Sequence, residues 1–228
     1  MSGAEFRAAR LKRGWTQAKA GVRLGISQTY VSLIESGQRP IPARLLCRVQ
    51  VAFGLPATVL PLGQPPPSHS AGIARAAASL GYPGFAYLHP RGRFNPAQVL
   101  LAALGAQDLE ARVAEALPWV VLEFVGLDWA WLLAQVKVHD LQNRLGYVVT
   151  QARRLAAHRN DKPAASELAE VEERLERSRL AREDTLCRDS LTHVERCWLA
   201  SNRPADARRW NLLTDMVPEE LRHATRTS

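Results

Sequence analysis

Residues 16–37, TQAKAGVRLGISQTYVSLIESG, leave the chain little freedom in its local fold. Thr16 is a good N-cap for one short helix, and Gly25 fits the left-handed position that closes it. Ser27 then caps a second helix, which Gly37 ends in the same way. With only a sharp turn between them, the two helices must cross closely. The residue at the crossing must therefore be small, and Gly21 is. On the second helix Val31 and Ile34 form an apolar face that holds it to its own domain, while Gln28, Thr29 and Ser32 share a polar face.

The surrounding residues extend this pair into a small helical module. Residues 3–13 read as a basic amphipathic helix ended by Gly14. Pro40 and Pro42 mark a loop. Ala43–Phe53 reads as a helix with Leu45, Leu46, Val49 and Phe53 on one side, and residues 54–62 hold a short fifth helix. The run QPPPSHS at 64–70 sustains neither helix nor sheet, so it is expected to be a stiff linker between residues 1–63 and 71–228. Charge divides at the same place. Residues 1–63 carry nine Lys/Arg against Glu5 and Glu35, a balance of +7, whereas residues 64–228 carry 21 against 20 Asp/Glu, a balance of +1. A basic module beside a neutral one points to a polyanion partner for the first alone.

A polar helix face on a basic, two-helix turn is the pattern that places one helix in the DNA major groove. Gln can pair two ways with adenine, and the Thr methyl can touch a thymine methyl. The module resembles the Cro/phage-repressor (xenobiotic-response-element) type of helix-turn-helix over residues 4–62. The matching residues are Arg10, Trp15-Thr16-Gln17, Gly25, Ser27-Gln28, Val31-Ser32, Ile34-Glu35, Gly37, and Leu45 through Gly54-Leu55. The resemblance implies a compact five-helix domain that binds palindromic operators as a homodimer. It implies that Gln17 touches a phosphate, that Gln28, Thr29 and Ser32 read bases, and that Arg10 and Glu35 form a structural ion pair. Lys19 stands where the family often has an acid, and so lies near the expected phosphate. Ala20 stands where a larger apolar residue is usual, which lightens the core. Arg39 and Arg44 follow the recognition helix and have two readings, backbone contact or solvated surface; Tyr30 likewise either reaches a phosphate or packs locally. A degenerate module used for protein contacts is the alternative to DNA binding.

Beyond residue 70 the pattern is helical, and the expected fold class is all-α, with two long helices in a C-terminal bundle. Asn95-Pro96, Asp108, Pro118 and Asp128 are expected helix starts. A long helix over 129–158 carries Leu133, Val136, Leu141, Leu145, Val148, Ala152 and Leu155 at near-helical spacing. A second spans 164–201, its middle (178–189) without a clean seam. Trp210, Leu212, Leu213, Met216 and Leu221 suggest a short closing helix or two. Residues 117–136 are apolar enough to tempt a membrane reading, but Glu123 and Asp128 near the middle argue for a buried hairpin and no membrane partner. Trp119, Phe124, Trp129 and Trp131 read as core, with a ligand pocket among them as the lesser alternative.

Chemistry-bearing clusters are sparse. Three widely spaced cysteines (Cys47, Cys187, Cys197) make no disulfide framework and fit a cytoplasmic protein. His193 and Cys197 share a helix face, but the paired spacings of structural zinc are missing, so no metal or other cofactor is expected. Arg188 and His193 have the R-x4-H form of a helical ribonuclease motif, which Arg-rich helices also produce by chance; no enzyme is expected. His139, Asp140 and His158 read as surface, with Lys137, Asp140 and Arg144 pairing along a helix. The dense charges of residues 167–182 read as a solvated face, or else as a coiled-coil-like interface. The expected function is a sequence-specific transcriptional regulator, a repressor. The alternative is an antitoxin whose C-terminal region neutralises a protein toxin.

Overall fold

The computed structural model describes residues 1–63, 65–89, 92–124 and 126–218. Linker residue Gln64, and Leu221 of the expected closing helix, lie outside them. The chain divides into two compact units, Met1–Gly63 and Gln64–Ser228. Of the described residues 62% are helical, α-helices and 3-10 turns together, and two short strands accompany them.

The first unit contains α1 (Gly3–Lys12), α2 (Gln17–Leu24), α3 (Gln28–Glu35) and α4 (Ala43–Phe53). In place of a fifth α-helix there is a single 3-10 turn, Ala57–Val59, boxed in by Pro56 and Pro61. Phe6, Leu24, Val31, Ile34, Leu45, Val49 and Phe53 form its core. Phe53 sits at the centre of the aromatic contacts, with ring centroids 5.1 Å from Phe6 and 5.6 Å from Trp15. Seven large side chains are a modest core for a unit of this size. Capping and buried polar contacts therefore matter more to it than they would in a larger domain.

The second unit is built around one central helix. Its elements before the centre are α5 (Ser70–Leu80), α6 (Pro96–Leu104), α7 (Ala111–Glu123) and α8 (Trp129–Val138). After them come α9 (Gln142–His158), α10 (Lys162–Glu176), β1 (Asp184–Thr185), α11 (His193–Asn202), α12 (Ala205–Arg209) and β2 (Leu212–Leu213). Helix α9 is packed by α7, α8, α10, α12 and β1. It is buried nearly all round, and its polar residues survive there because they are bonded. The Asn143 amide joins the Leu180 backbone, and Thr150 donates to Glu172. Arg144 spends its guanidinium on Asp184 (2.7 and 2.9 Å), the Leu104 carbonyl (2.9 Å) and the Ala106 carbonyl (3.2 Å). This corrects the expected pairing of Arg144 with Asp140 on a solvated face.

Other expectations also change. The expected stiff linker, residues 64–70, is described from residue 65: Pro66 is buried, Pro67 packs so close to Gly72 that a Cβ there would lie 2.5 Å from its carbonyl oxygen, and Ser70 already opens α5. The expected helix at 129–158 breaks at Asp140, which takes a left-handed φ of +57° while the Leu141 amide folds back onto the Val136 carbonyl. Asp tolerates that conformation better than most residues do. Pro118 does not start a helix but sits inside α7. An interior proline costs about 3 kcal/mol. The apolar face from Val113 to Val121 runs through it, and each large aliphatic buried against α9 returns about 1.5–3 kcal/mol. Asp108 does not begin α7 either; it accepts hydrogen bonds from the Ser190 amide and hydroxyl.

The expected second long helix ends at Glu176. Residues 177–192 then wrap back, and β1 pairs in parallel with β2. That detour brings Asp184 and Asp189 to Arg144. Trp210 closes no helix face; it is fully buried against Gly146, where any Cβ would fall 2.4 Å from the ring, and its Nε1 donates to Thr150. By contrast Trp119, Phe124, Trp129 and Trp131 are only half-buried. Among the described residues no helix is long and apolar enough to cross a membrane.

Candidate nucleic-acid interface

Each feature of the two-helix turn rests on a specific contact. The Thr16 hydroxyl accepts from the Lys19 amide (3.1 Å), capping α2. Gly25 ends it with φ of +68°, as a left-handed closure requires. At Gly21 a Cβ would come within 2.7 Å of the Ile26 carbonyl, so the turn can pass this close to α2 only at glycine. The Ser27 hydroxyl accepts from the Tyr30 amide (3.1 Å) and starts α3. Val31 and Ile34 are fully buried beneath it. Gln28, Thr29 and Ser32 are exposed on the other side, and Leu33 is half-buried at the edge.

The orientation of α3 is locked by a buried ion pair. Arg10 donates from Nε to Glu35 Oε1 (2.5 Å) and from Nη2 to Oε2 (3.0 Å), and its Nη1 reaches the Trp15 carbonyl (2.6 Å). Only 8% and 5% of the two side chains is exposed. Burial alone would raise the Glu35 carboxyl. Hydrogen bonds from Arg10 and Gln17, with the charges of Arg10 and Arg7, outweigh it and hold the group below the usual carboxylate range. The bond to Glu35 conversely holds the Arg10 guanidinium above its ordinary value, against burial.

The remaining expected site residues are distributed as follows. Gln17 is half-buried and donates its Nε2 to Glu35 (3.0 Å), so this donor is turned inward rather than toward a phosphate. Tyr30 is half-buried and packs on the core of the unit. Lys19, Arg39 and Arg44 are exposed. Arg44 lines a hollow beside the turn, together with Gly25, Ser27, Tyr30 and Arg48. Arg48, absent from the residues the resemblance implies, follows Arg44 by one helical turn and so shares its face.

The other clusters are less organised. Arg188 forms an antiparallel bridge with Asp108 ahead of the Thr192 cap, 4.0 Å from Glu195, while His193 opens α11, so the two do not share a helix as the R-x4-H reading requires. His193 Nε2 and Cys197 Sγ are 3.6 Å apart and exposed, whereas Cys187 is buried and donates to the Ala103 carbonyl (3.2 Å). Among the described residues no group of three or more His, Cys, Asp or Glu is placed to hold a metal. Glu172, read as part of a solvated face, is buried and accepts from Thr150, Arg153 and Arg209.

Searches of curated proteins and of solved structures returned no match for this chain. A protein-family model described as a helix-turn-helix domain does match, at residues 3–62. That segment coincides with the first compact unit and with the span of the Cro/phage-repressor resemblance. Residues 3–62 are a helix-turn-helix domain, the module of DNA-binding regulators.

Proposed function

We propose that the chain is a sequence-specific transcriptional regulator that inserts α3 into the major groove of double-stranded DNA. Gln28, Thr29 and Ser32 meet base edges there, and the basic surface around them meets phosphates. One observation carries the reading. The only exposed polar face of α3 is short-chained and presented outward, while its opposite face and its last residue are fixed by Val31, Ile34 and the Glu35–Arg10 pair. A helix held so firmly can place an amide to about the tolerance that bidentate base recognition needs.

The protein acts in this reading as a repressor, occupying a two-fold operator as a dimer with half-sites about 34 Å apart and so excluding polymerase. The second unit supplies dimer contacts, and the site of action is the cytoplasm. The test is footprinting on the DNA upstream of the chain's own coding sequence, followed by titration of Gln28→Ala. The variant should lose about 1–3 kcal/mol and relax its preference at one base pair in each half-site. An unchanged footprint and affinity would remove Gln28 from the reading face, and light scattering that finds a monomer on DNA would remove the two-fold operator.

A further inference from the structure

We infer that His193 and Cys197 are half of a zinc site, which a second copy of this chain completes by packing its own α11 against this one. The inference deepens the reading above by giving the dimer contact of the second unit a place and a metal. Three observations support it. First, His193 Nε2 and Cys197 Sγ stand 3.6 Å apart, one helical turn along α11, and both side chains are exposed. Tetrahedral zinc holds a thiolate sulfur at about 2.3 Å and an imidazole nitrogen at about 2.0–2.1 Å, so the edge between two such ligands is about 3.5–3.6 Å. The pair already stands at ligand spacing. Its nitrogen and sulfur suit zinc rather than magnesium or calcium. Second, one chain stops at two ligands. Among the described residues no third His, Cys, Asp or Glu joins them. Glu195, the one acid of α11, is folded back and accepts from the Thr192 amide and hydroxyl. A two-fold axis through the ion doubles the pair to two Cys and two His, the full count for structural zinc. The paired spacings that a zinc site within one chain requires are not needed by a site shared between two.

Third, the helix face around the pair fits a like face. Of α11 only Leu199 is buried. Val194 and Trp198, one turn apart, are 76% and 55% exposed. By helical spacing His193, Val194, Cys197, Trp198 and Ser201 fall within about 140° of one another, on the side opposite Leu199. None of them carries a fixed charge. Arg196, the one cation of α11, is turned back onto the Leu191 and Asp189 carbonyls. The same faces of two copies can therefore meet antiparallel without like-charge contact, Val194 near Trp198 of the second copy. An exposed indole beside an exposed thiol adds nothing to the fold of one chain. Between two chains the indole buries apolar area and the thiol binds metal.

The test uses the full chain, freed of metal by chelation, and needs no DNA, so its failure is distinct from failure of the DNA-binding reading. Cobalt(II) stands in for spectroscopically silent zinc. Titration should give the charge-transfer band of a cobalt–thiolate bond and the intense visible bands of a tetrahedral ion, saturating at one ion per two chains, and zinc should displace the cobalt. In analytical ultracentrifugation, free zinc at about a hundred times its dissociation constant should tighten the dimer about a hundred-fold. Cys197→Ser and His193→Ala, both at exposed positions, should keep the melting temperature of the metal-free chain and lose the zinc effect. Cys197→Ser should also lose the thiolate band, whereas Cys47→Ser should keep it. Trp198→Ala should weaken the dimer and cobalt uptake together, since each needs the other. The inference is overturned if no thiolate band appears, if the band survives Cys197→Ser, or if the ion saturates at one per chain. It is equally overturned if zinc leaves the dimer constant unchanged, or if Trp198→Ala dimerises as the unaltered chain does. A chain that takes up zinc in this way yet binds no DNA would remove the regulator reading and leave the metal site standing.

Discussion

Replacing Glu35 by Gln should uncouple the first unit from the second in stability. The variant keeps the shape of the side chain and removes the negative charge that Arg10 is buried against. Arg10 cannot swing out to water without abandoning the Trp15 carbonyl as well. Breaking a buried, bidentate pair from one side costs about 3–5 kcal/mol. A 63-residue unit is stable by only about 3–9 kcal/mol at the usual yield per residue, so the loss approaches the whole. Hydrogen exchange resolved by peptide reads this directly. Amides of α1, α3 and α4 should lose at least about a hundred-fold of protection, at ten-fold per 1.4 kcal/mol. Those of α9 and α10 should be unchanged. A pH series supplies the sign. The folded Glu35 carboxyl lies below its ordinary value of 4.5, so the stabilisation is complete above pH 4.5 and is lost as pH falls through the folded value. Acid should therefore strip protection from the first unit of the unaltered chain, and the Gln variant should show a flatter profile. Replacing both partners, Arg10→Met with Glu35→Leu, should be milder than Glu35→Gln. Protection in Glu35→Gln within about 0.5 kcal/mol of the unaltered chain would show that the pair does not hold α3.

Two further outcomes follow from the second unit. Gly146→Ala drives a methyl into the Trp210 ring and should cost about 1–3 kcal/mol of overpacking, seen as a lower melting temperature and a changed near-ultraviolet tryptophan signal. In the folded chain Cys197 should react promptly with a disulfide reagent, whereas Cys187, its thiol pushed up to about 12 by burial, should react only on unfolding; prompt reaction of both would contradict the packing of 177–192.

What could be read from the residues was whatever is decided locally. The caps at Thr16 and Ser27, the left-handed Gly25 and the crossing at Gly21 involve neighbours within a turn or two, and residue type alone implies them. The second unit defeated the same reasoning because its decisive partners are far apart in sequence. Arg144 meets Asp184, Thr150 meets Glu172, and Gly146 meets Trp210, separations of tens of residues that no periodicity records. Hence residue spacing alone shows neither the break at Asp140 nor the one after Glu176, and leaves Glu172 on a solvated face. On the binding face, the exposure of Gln28, Thr29 and Ser32 followed from the spacing of Val31 and Ile34. The inward turn of Gln17 did not, since it depends on Glu35 at the far end of α3.

The two units use charge in opposite ways, and that difference favours assigning DNA contact to the first. In the second, carboxylates and guanidinium groups are nearly equal in number and many are joined, as in Arg153–Glu172–Arg209 and Arg154–Asp206. Such networks cancel at short range and leave little field beyond a Debye length of about 8–10 Å. In the first unit Glu35 is neutralised by Arg10, and Glu5, at the cap of α1, is the one other carboxylate set against eight remaining cations, which keep most of their field. The acid that locks the recognition helix in place thus also leaves the surface around it free of negative charge. A second exposed acid near Arg44 would cost little in folding but would oppose every phosphate contact nearby. Its absence has no structural explanation in the unit, whereas an anionic partner explains it directly.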